Sequence, residues 1–336
     1  MSTAILPWLE FALCAALIGF AGPRLAKHGD TIARLTGLSR SWTGLVLLAA
    51  ATSLPELFTG VSAVSVADAP NIAVGDALGS CTFNLVMLVL LDELSRREPM
   101  YRQIDRGHLL TAGFGIIMIG SAGVFVVLGQ APMAFGFLHI GGYTPLFVLL
   151  YLVAVRAAFV YDRRSRPLAE LLDGQAEPTL GSAIARYCGA AVVIAAAGSW
   201  LPFIGQDIAT AMGWRTSFVG TMIIAGATSI PELVVTVSAL RLGAVDMAIG
   251  SLLGSNLFDI LILAIDDIAY PKGPLLAAVS PAHAVTAFAG VIMSGIFIVA
   301  LLYQPGTTLR RAMNWTSLAL LIVYMFSSYT IYVFGH

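Results

Sequence analysis

Long apolar segments recur along this chain, each about as long as a membrane is thick. A helix needs ~20 predominantly apolar residues to cross the hydrocarbon core of a bilayer. The segments that reach this length are residues 4–23, 42–67, 71–91, 108–129, 143–161, 180–201, 215–240, 244–265, 277–303 and 315–334. The sequence therefore predicts an all-α integral membrane protein with ten transmembrane helices.

The composition leads to the same expectation. Charged residues make up 11% of the chain and hydrophobic residues 58%, whereas roughly a quarter of a soluble chain is charged. A surface this apolar can be satisfied only by lipid, so the bilayer is the expected environment. The net charge of −1 gives no attraction for nucleic acid. Neither a cofactor nor an obligate protein partner is indicated, and the three cysteines are too far apart for a disulfide framework or a metal knuckle.

The positive charges predict an orientation. Cytoplasmic loops of membrane proteins carry an excess of Lys and Arg. If the N-terminus is outside, all 18 Lys and Arg residues except Arg215 and Lys272 fall on or near the cytoplasmic side. If one span were added or omitted, the later loops would change sides and the Lys and Arg residues would be divided between both sides of the membrane. The pattern therefore supports ten spans in a cytoplasmic (inner) membrane, with both termini outside.

Two short motifs each occur twice. Residues 52–56 read TSLPE and residues 228–232 read TSIPE, while residues 75–84 read GDALGSCTFN and residues 250–259 read GSLLGSNLFD. The first pair is offset by 176 residues (228 − 52) and the second by 175 (250 − 75). The copies lie five predicted spans apart, and because five is odd they must enter the membrane in opposite directions.

Copies related in this way are inverted repeats, an arrangement found in many secondary transporters with the substrate near the membrane midplane. We expect two five-helix halves, residues 1–161 and 180–336, joined by a polar cytoplasmic linker at 162–179. The repeated regions are residues 42–92 in the first half and 215–267 in the second.

Each copy of the first motif places a glutamate inside an apolar span. A carboxylate at membrane depth is costly unless it is paired, hydrated or metal-bound, and by default it marks an ion pathway. Thr52 and Glu56 are four residues apart, so their oxygens share one face of a helix, as do those of Thr228 and Glu232. The proline before each glutamate has no N–H, and its ring frees the carbonyl oxygen four residues earlier.

The second motif supplies the opposing wall. Ser80 and Asn84 are four residues apart, as are Ser255 and Asp259, and paired glycines allow close helix packing. These side chains, with the glutamates, the hydroxyls and the freed carbonyls, form a set of oxygen ligands without Cys or His at ligand spacing. Hard cations such as Ca²⁺, which takes roughly 6–8 oxygens, suit this set, whereas Zn²⁺ and Cu⁺ do not.

The paired blocks ATS[LI]PEL and GxxxGSxxF[ND] resemble the two α-repeats of the cation/Ca²⁺ antiporters, most closely the Na⁺/Ca²⁺ exchangers. By this resemblance, Glu56 and Glu232 would be central Ca²⁺ ligands shared with Na⁺, completed by Asn84 and Asp259. The resemblance implies further ligands for the central and flanking cation sites: Thr52, Ser53, Ser80, Thr228, Ser229, Ser255 and the carbonyls of Ala49 and Ala225. The implied activity is Na⁺-driven Ca²⁺ antiport by alternating access, with spans 1 and 6 sliding against the rest. The chain would be a transporter and not an enzyme.

Three positions depart from the family pattern or from the symmetry of the repeat. Cys81 stands where the family usually has Asn, as Asn256 does in the second copy, and Asp76 is matched by Ser251. The sequence leaves open whether Asp76 is a hydrated residue at a helix end or part of the ion pathway. Three polar residues toward span ends are expected to be solvated: Asp92, Asp267 and His283.

Two other functions compete with Na⁺-driven transport. Exchange of H⁺ or another cation for Ca²⁺ on the same scaffold is open, because protonation of the glutamates could replace Na⁺ binding; the retained Ser and Thr hydroxyls favour Na⁺. An intramembrane hydrolase is disfavoured, because the sequence has no HExxH motif and no Ser–His or paired catalytic Asp arrangement.

Overall fold

The computed structural model describes residues 2–35, 48–95, 100–129, 136–165, 179–241, 243–303 and 314–335. Two predicted features lie partly outside these ranges, the start of the second span (42–47) and most of the linker (166–178). The described helices are α1 (Ser2–Leu35), α2 (Ala49–Thr52), α3 (Leu54–Ser65), α4 (Pro70–Leu94), α5 (Met100–Gln103), α6 (His108–Gly129), α7 (Tyr143–Ser165), α8 (Leu180–Met212), α9 (Thr216–Phe218), α10 (Ala225–Thr228), α11 (Ile230–Arg241), α12 (Val245–Ala269), α13 (His283–Tyr303) and α14 (Trp315–Phe334). A π-helical segment (Val219–Ile224) joins α9 to α10, a 3₁₀ turn (Leu275–Ala277) precedes α13, and strands β1 (Gly136–Phe137) and β2 (Ile140–Gly141) form an antiparallel hairpin.

Within the described part of the chain, eight helices are long and apolar enough to cross a membrane, or nine if the bent pair at residues 216–228 and 230–241 is one span. This confirms the predicted all-α, multi-pass membrane architecture. The predicted span at 42–67 is described only from residue 48 onward, as α2 and α3, so the count of ten is not established.

The predicted bounds are close for most helices, and α6 covers the predicted 108–129. Two helices are longer than predicted: α1 continues from residue 23 to Leu35, and α8 from residue 201 to Met212. The length of an apolar segment indicates only the part of a helix that lipid can cover. Beyond it, a helix can continue as long as its backbone hydrogen bonds are made, and its side chains there need not be apolar.

The two helices that carry the second motif lie at the centre of the bundle. In the most apolar stretches of α4 and α12, 83% of the residues are buried, against 22% in α7 and α14. The outward faces of α7 and α14 expose large apolar side chains such as Leu152 and Phe326. The repeated GxxxG helices are therefore enclosed by protein, while α7 and α14 present the surface expected to meet lipid.

The long helices pack in pairs that join equivalent spans of the two halves. Helix α1 packs on α8, α4 on α12, and α6 on α13. Helix α3 also packs on α8, and α11 packs correspondingly on α1. Each half is thus packed against the other along the whole bundle.

Asp267 was expected to be solvated, and this is wrong. It is fully buried at the end of α12. It accepts hydrogen bonds from the backbone N–H groups of Gly141 and Leu275, both at 2.7 Å, and from the hydroxyls of Thr144, at 2.5 Å, and Tyr143. The connection after α12 folds back over the helix end, so this carboxylate fastens the loop instead of meeting water.

The same connection buries His283, which was also expected at the surface. Its Nε2 lies 3.2 Å from Oδ1 of Asn71, and this oxygen also accepts a hydrogen bond from the backbone of Ser280. Asp92, at the position equivalent to Asp267, is only half-buried and accepts one hydrogen bond, from Ser317 at 2.9 Å.

Candidate cation site

In both copies of the first motif the helix breaks at the serine. Ser53 (φ −85°, ψ 12°) separates α2 from α3, and Ser229 (φ −80°, ψ 7°) separates α10 from α11. The proline becomes the second residue of the new helix, where its missing N–H costs nothing. Glu56 and Glu232 therefore lie in the first turns of α3 and α11. There, unpaired backbone N–H groups and the helix dipole favour a negative charge.

Glycines bring α4 against the π-helical segment. A Cβ atom on Gly75 would lie 2.9 Å from the backbone nitrogen of Thr221, and one on Gly79 would lie 2.8 Å from the Cβ of Ala225. Any larger residue would force the backbones apart. The prediction that these glycines allow close helix approach is confirmed in the first copy.

Two more glycines, from α1 and α8, press on the prolines at the breaks. A Cβ atom on Gly22 would lie 2.5 Å from the Cβ of Pro231, and one on Gly198 would lie 3.0 Å from the carbonyl oxygen of Pro55. The two contacts are equivalent by the repeat, because the two glycines are 176 residues apart (198 − 22) and so are the two prolines (231 − 55). Each half thus covers the broken helix of the other half with a helix that has no side chain at that point.

Each glutamate is held by a serine from the opposite half. The hydroxyl of Ser53 donates to Oε1 of Glu232 at 3.3 Å, and that of Ser229 donates to Oε1 of Glu56 at 3.4 Å. The duplicated motif is thus not two separate sites. Its copies meet and complete each other.

A serine of the same half reaches the same oxygen. Ser80 donates to Oε1 of Glu56 and Ser255 to Oε1 of Glu232, both at 3.4 Å. Both glutamates are 1% exposed, and Oε2 of each has no hydrogen-bond partner among the described residues. A buried carboxylate oxygen without a partner is costly. Two such oxygens, where the two motif copies meet, require a positive charge or a proton to neutralise them.

The threonines of the motif face the predicted carbonyl ligands. Thr52 Oγ1 lies 3.2 Å from the carbonyl oxygen of Ala49, and Thr228 Oγ1 lies 3.2 Å from that of Ala225. Thr52 is also 3.4 Å from the hydroxyl of Ser255. These oxygens flank the glutamates along the broken helices, where the resemblance implied flanking cation sites.

Asn84 and Asp259 each contact a residue that the site prediction left out, Asn256 and Cys81 respectively. Nδ2 of Asn84 donates to Oδ1 of Asn256 at 3.0 Å, while Oδ1 atoms of both Asn84 and Asp259 have no partner in the described part. Sγ of Cys81 lies 3.7 Å from Oδ2 of Asp259 and from the carbonyl oxygen of Asn256. Asn256 could have been found from the sequence, because it is the repeat equivalent of Cys81.

Asp76 lies inside the site and not at a hydrated helix end. It is 1% exposed and accepts a hydrogen bond from Thr228 at 2.9 Å. Its equivalent, Ser251, is fully buried, and its hydroxyl has no partner among the described residues. The two walls of the site therefore carry their carboxylate at different positions: α4 has Asp76 where α12 has Ser251, and α12 has Asp259 where α4 has Asn84.

All twelve predicted ligands are buried in the region where the two motifs meet. Within the described ranges, no three His, Cys, Asp or Glu side chains lie close enough to hold a metal ion by themselves. A cation bound here would therefore need hydroxyl, amide and carbonyl oxygens in addition to carboxylates, which is the chemistry of hard cations.

Comparison with known proteins agrees with this geometry. The family model described as "Sodium/calcium exchanger protein" matches residues 6–160 and 182–333. Sodium/calcium exchanger MaX1 of Methanosarcina acetivorans is 28% identical over 340 residues, covering 89% of this chain and 91% of MaX1. Inner membrane protein YrbG of Escherichia coli is 26% identical over 318 residues, covering 85% and 94%. A solved structure of the sodium-calcium exchanger NCX_Mj shares the fold, with a TM-score of 0.63 at 22% identity over 96% of this chain and 98% of NCX_Mj. The chain therefore belongs to the sodium/calcium exchanger protein family.

Proposed function

We propose that this protein is a Na⁺-driven Ca²⁺ antiporter of the cytoplasmic (inner) membrane that works by alternating access. One observation carries the proposal: Glu56 and Glu232 are both buried, each accepts a hydrogen bond from the serine of the other motif copy, and each has a carboxylate oxygen without a partner in the described part. The sequence relatives support Na⁺ and Ca²⁺ as the exchanged ions and the inner membrane as the location, because MaX1 is named a sodium/calcium exchanger and YrbG an inner membrane protein.

The ligand chemistry supports Ca²⁺ and Na⁺ as the transported ions. The proposed ligands are Glu56, Glu232, Asp259, Asn84, Thr52, Ser53, Ser80, Thr228, Ser229 and Ser255, with the carbonyls of Ala49 and Ala225. Two glutamates can neutralise one Ca²⁺, and their oxygens with those of the nearby amide and hydroxyls can reach the roughly 6–8 ligands that Ca²⁺ takes. The hydroxyls and carbonyls beyond the glutamates suit Na⁺, which explains why both copies keep them.

Inverted five-helix halves, residues 1–161 and 180–336, explain the pairing of contacts. The bond from Ser53 to Glu232 is matched by one from Ser229 to Glu56. The packing of α1 on α11 is matched by that of α8 on α3. A pseudo-two-fold axis between ten spans would produce these pairs, as in other transporters with inverted repeats.

The packing at the breaks supports sliding of α1 and α8. At Gly22 and Gly198 these helices present bare backbone to the prolines of the opposite half. Apart from the hydroxyls of Thr59 and Ser62, which donate to the carbonyls of Gly198 and Ser199, the described contacts between α3 and α8 are apolar or backbone packing. Such a surface can shift without unpairing buried charges, which alternating access requires.

The direct test is uptake of radiolabelled Ca²⁺ into proteoliposomes. We expect an outward Na⁺ gradient to drive uptake and an equal outward choline gradient to drive none. A parallel set of vesicles with a pH gradient and no Na⁺ tests the proton alternative. Uptake driven only by the pH gradient would refute Na⁺ as the driving ion and leave the cation site in place; uptake driven by neither gradient would refute antiport altogether.

A further inference from the structure

One buried carboxylate plays no part in the site described above. Asp266 lies near the end of α12, is fully buried, and neither of its carboxylate oxygens has a hydrogen-bond partner among the described residues. It follows Asp259 by seven residues, which is two turns or ~10 Å along the same face of the helix. It is therefore on the line of the central site but beyond direct contact with it.

The opposing helix leaves space for this carboxylate. Gly60 follows Glu56 by one turn, on the same face of α3. A Cβ atom on Gly60 would lie 2.6 Å from Oδ1 and 2.7 Å from Cγ of Asp266. The carboxylate thus occupies the place that a side chain at residue 60 would fill. The helices that carry Glu56 and Asp259 both lead to it.

The other half has no counterpart. The repeat equivalent of Asp266 is Leu91 (266 − 175), and that of Gly60 is Thr236 (60 + 176). Asp266 lies toward the same end of the bundle as Asp76, because an ion pair of 2.6 Å between Asp68 and Lys272 joins the residues before α4 to those after α12. The charge pattern predicts that this end is external. Asp76 and Asp266, whose repeat equivalents are not acids, therefore both lie toward the predicted external end of the pathway.

The charges around Asp266 are all negative. Asp76 faces it from α4, Glu56 precedes Gly60 on α3, and Asp259 and Asp267 share its own helix. No described Lys or Arg forms an ion pair with it. A buried carboxylate that lacks both a donor and a counter-charge is strongly destabilising unless a cation or a proton neutralises it.

We propose that Asp266, set against the bare backbone of Gly60, is a second cation site on the external approach to the central one, and that it holds a single monovalent cation, Na⁺ or H⁺. The proposal rests on the proposed antiport and adds a step to it. The cation neutralises Asp266 at a position one helix turn from Glu56. When the occupant of the central site changes, this cation either dissociates to the external side or moves into the central site.

Thermal unfolding of the purified protein tests this without relying on transport. In a background that carries Glu56→Gln, Glu232→Gln, Asp259→Asn and Asp76→Asn the central carboxylates are gone, so Asp266 should account for most of the remaining response to monovalent cations. We expect Na⁺ in place of choline, or mildly acidic in place of mildly alkaline buffer, to raise the Tm by roughly 2–4 °C at about tenfold excess over Kd. Adding Asp266→Asn should abolish that rise. The arm that responds identifies the occupant, and no Asp266-dependent rise in either arm overturns the proposal.

Transport by the otherwise unaltered protein gives a second readout. Asp266→Asn should raise the external Na⁺ concentration for half-maximal exchange severalfold, while Na⁺-free Ca²⁺/Ca²⁺ exchange stays within twofold. Asp266→Leu, which copies Leu91, should behave in the same way and guards against a folding defect of the Asn variant. The exposed Asp68→Asn is the matched control and should change nothing. If both Asp266 variants fold and keep the wild-type response to Na⁺ and pH, Asp266 is only a core residue. Loss of Na⁺-driven uptake by the wild-type protein would instead be a failure of the proposed antiport.

Discussion

The hydroxyl of Ser53, from the first half of the chain, lies 3.3 Å from Oε1 of Glu232, from the second half. The equivalent bond joins Ser229 to Glu56 at 3.4 Å. Each half therefore positions the acid that the other half contributes. This exchange of hydrogen bonds between the halves gives the first two predictions.

Replacing either glutamate should stop transport. Glu56→Gln and Glu232→Gln each remove one negative charge from the cation while keeping the size of the side chain. We expect each to lower the rate of Na⁺-driven Ca²⁺ uptake at least about tenfold, or ~1.4 kcal/mol or more. Asp68→Asn, which removes an exposed carboxylate paired with Lys272, is the control. A double Glu variant that still exchanges Ca²⁺ would place the site elsewhere.

Removing the serine that crosses between halves should weaken Ca²⁺ binding to a similar degree on both sides. Hydrogen bonds to charged groups are worth about 1.5–3 kcal/mol, and these are long, so we expect Ser53→Ala and Ser229→Ala each to raise the half-saturating Ca²⁺ concentration about three- to tenfold. Ser65→Ala is matched, because that exposed hydroxyl bonds only within its own helix, to Val61. A change in one variant and not the other would contradict the equivalence of the halves.

The glycines that pack against the helix breaks should not tolerate substitution by a larger residue. Gly22→Ala places a methyl group 2.5 Å from the Cβ of Pro231, and Gly198→Ala places one 3.0 Å from the carbonyl oxygen of Pro55. We expect overpacking to cost about 1–3 kcal/mol in each, with lower Tm and slower exchange. Gly189→Ala, in α8 with no atom within 4 Å, should keep or slightly raise Tm, since Ala favours helix. Equal behaviour of all three variants would show that the close contacts are not maintained.

Cys81 can report on opening of the site. Its thiol is fully buried beside Asp259, while Cys188 is exposed. In a background without Cys14 and Cys188, we expect a water-soluble thiol reagent to label Cys81 slowly, and only when the pathway opens. Saturating Ca²⁺ should slow the labelling at least about tenfold if it shifts the population toward closed states by ~1.4 kcal/mol or more. Identical labelling rates with and without Ca²⁺ would argue against a gated site.

Asp267 should matter for stability and not for ion binding. Its carboxylate accepts four hydrogen bonds, and an amide at this position could not accept them all. We expect Asp267→Asn to lower the free energy of unfolding by about 3 kcal/mol, measured as a fall in Tm, because buried donors lose their partner. Asp92→Asn, at the equivalent position with one bond, should cost less than about half as much. Half-saturating Ca²⁺ should be unchanged in both, and a rise for Asp267→Asn alone would link it to the pathway.

The fold was readable from the sequence wherever long apolar segments decide it. Helix α6 matches its predicted residues because both of its ends coincide with the limits of its apolar stretch. The ends of α1 and α8 were missed because hydropathy marks what lipid can cover, and both helices continue beyond that limit. The position of the breaks was predicted only approximately: the prolines signal them, but the backbone turns at Ser53 and Ser229.

The site was readable because the duplication singled out its residues, all twelve of which lie where the motifs meet. What sequence could not decide was burial. Asp76 could have faced water, and its place beside Thr228 depends on the packing of α4 against the π-helical segment. Asp267 is buried by a loop whose path no local pattern reveals. The repeat equivalent of Asp266 is Leu91, which is not an acid, so the duplication did not mark it.

The mismatch between Asp76 and Ser251 has an evolutionary consequence. Two separate copies of one five-helix protein could form the same two-fold site as a homodimer, but any residue gained by one wall would then appear on the other. A carboxylate on one side and a hydroxyl on the other can persist only when the two walls are encoded by different stretches of sequence, as they are along this chain. Two separately encoded walls therefore permit a difference that a homodimer forbids, and the two ends of such a pathway can evolve different affinities for the same ion.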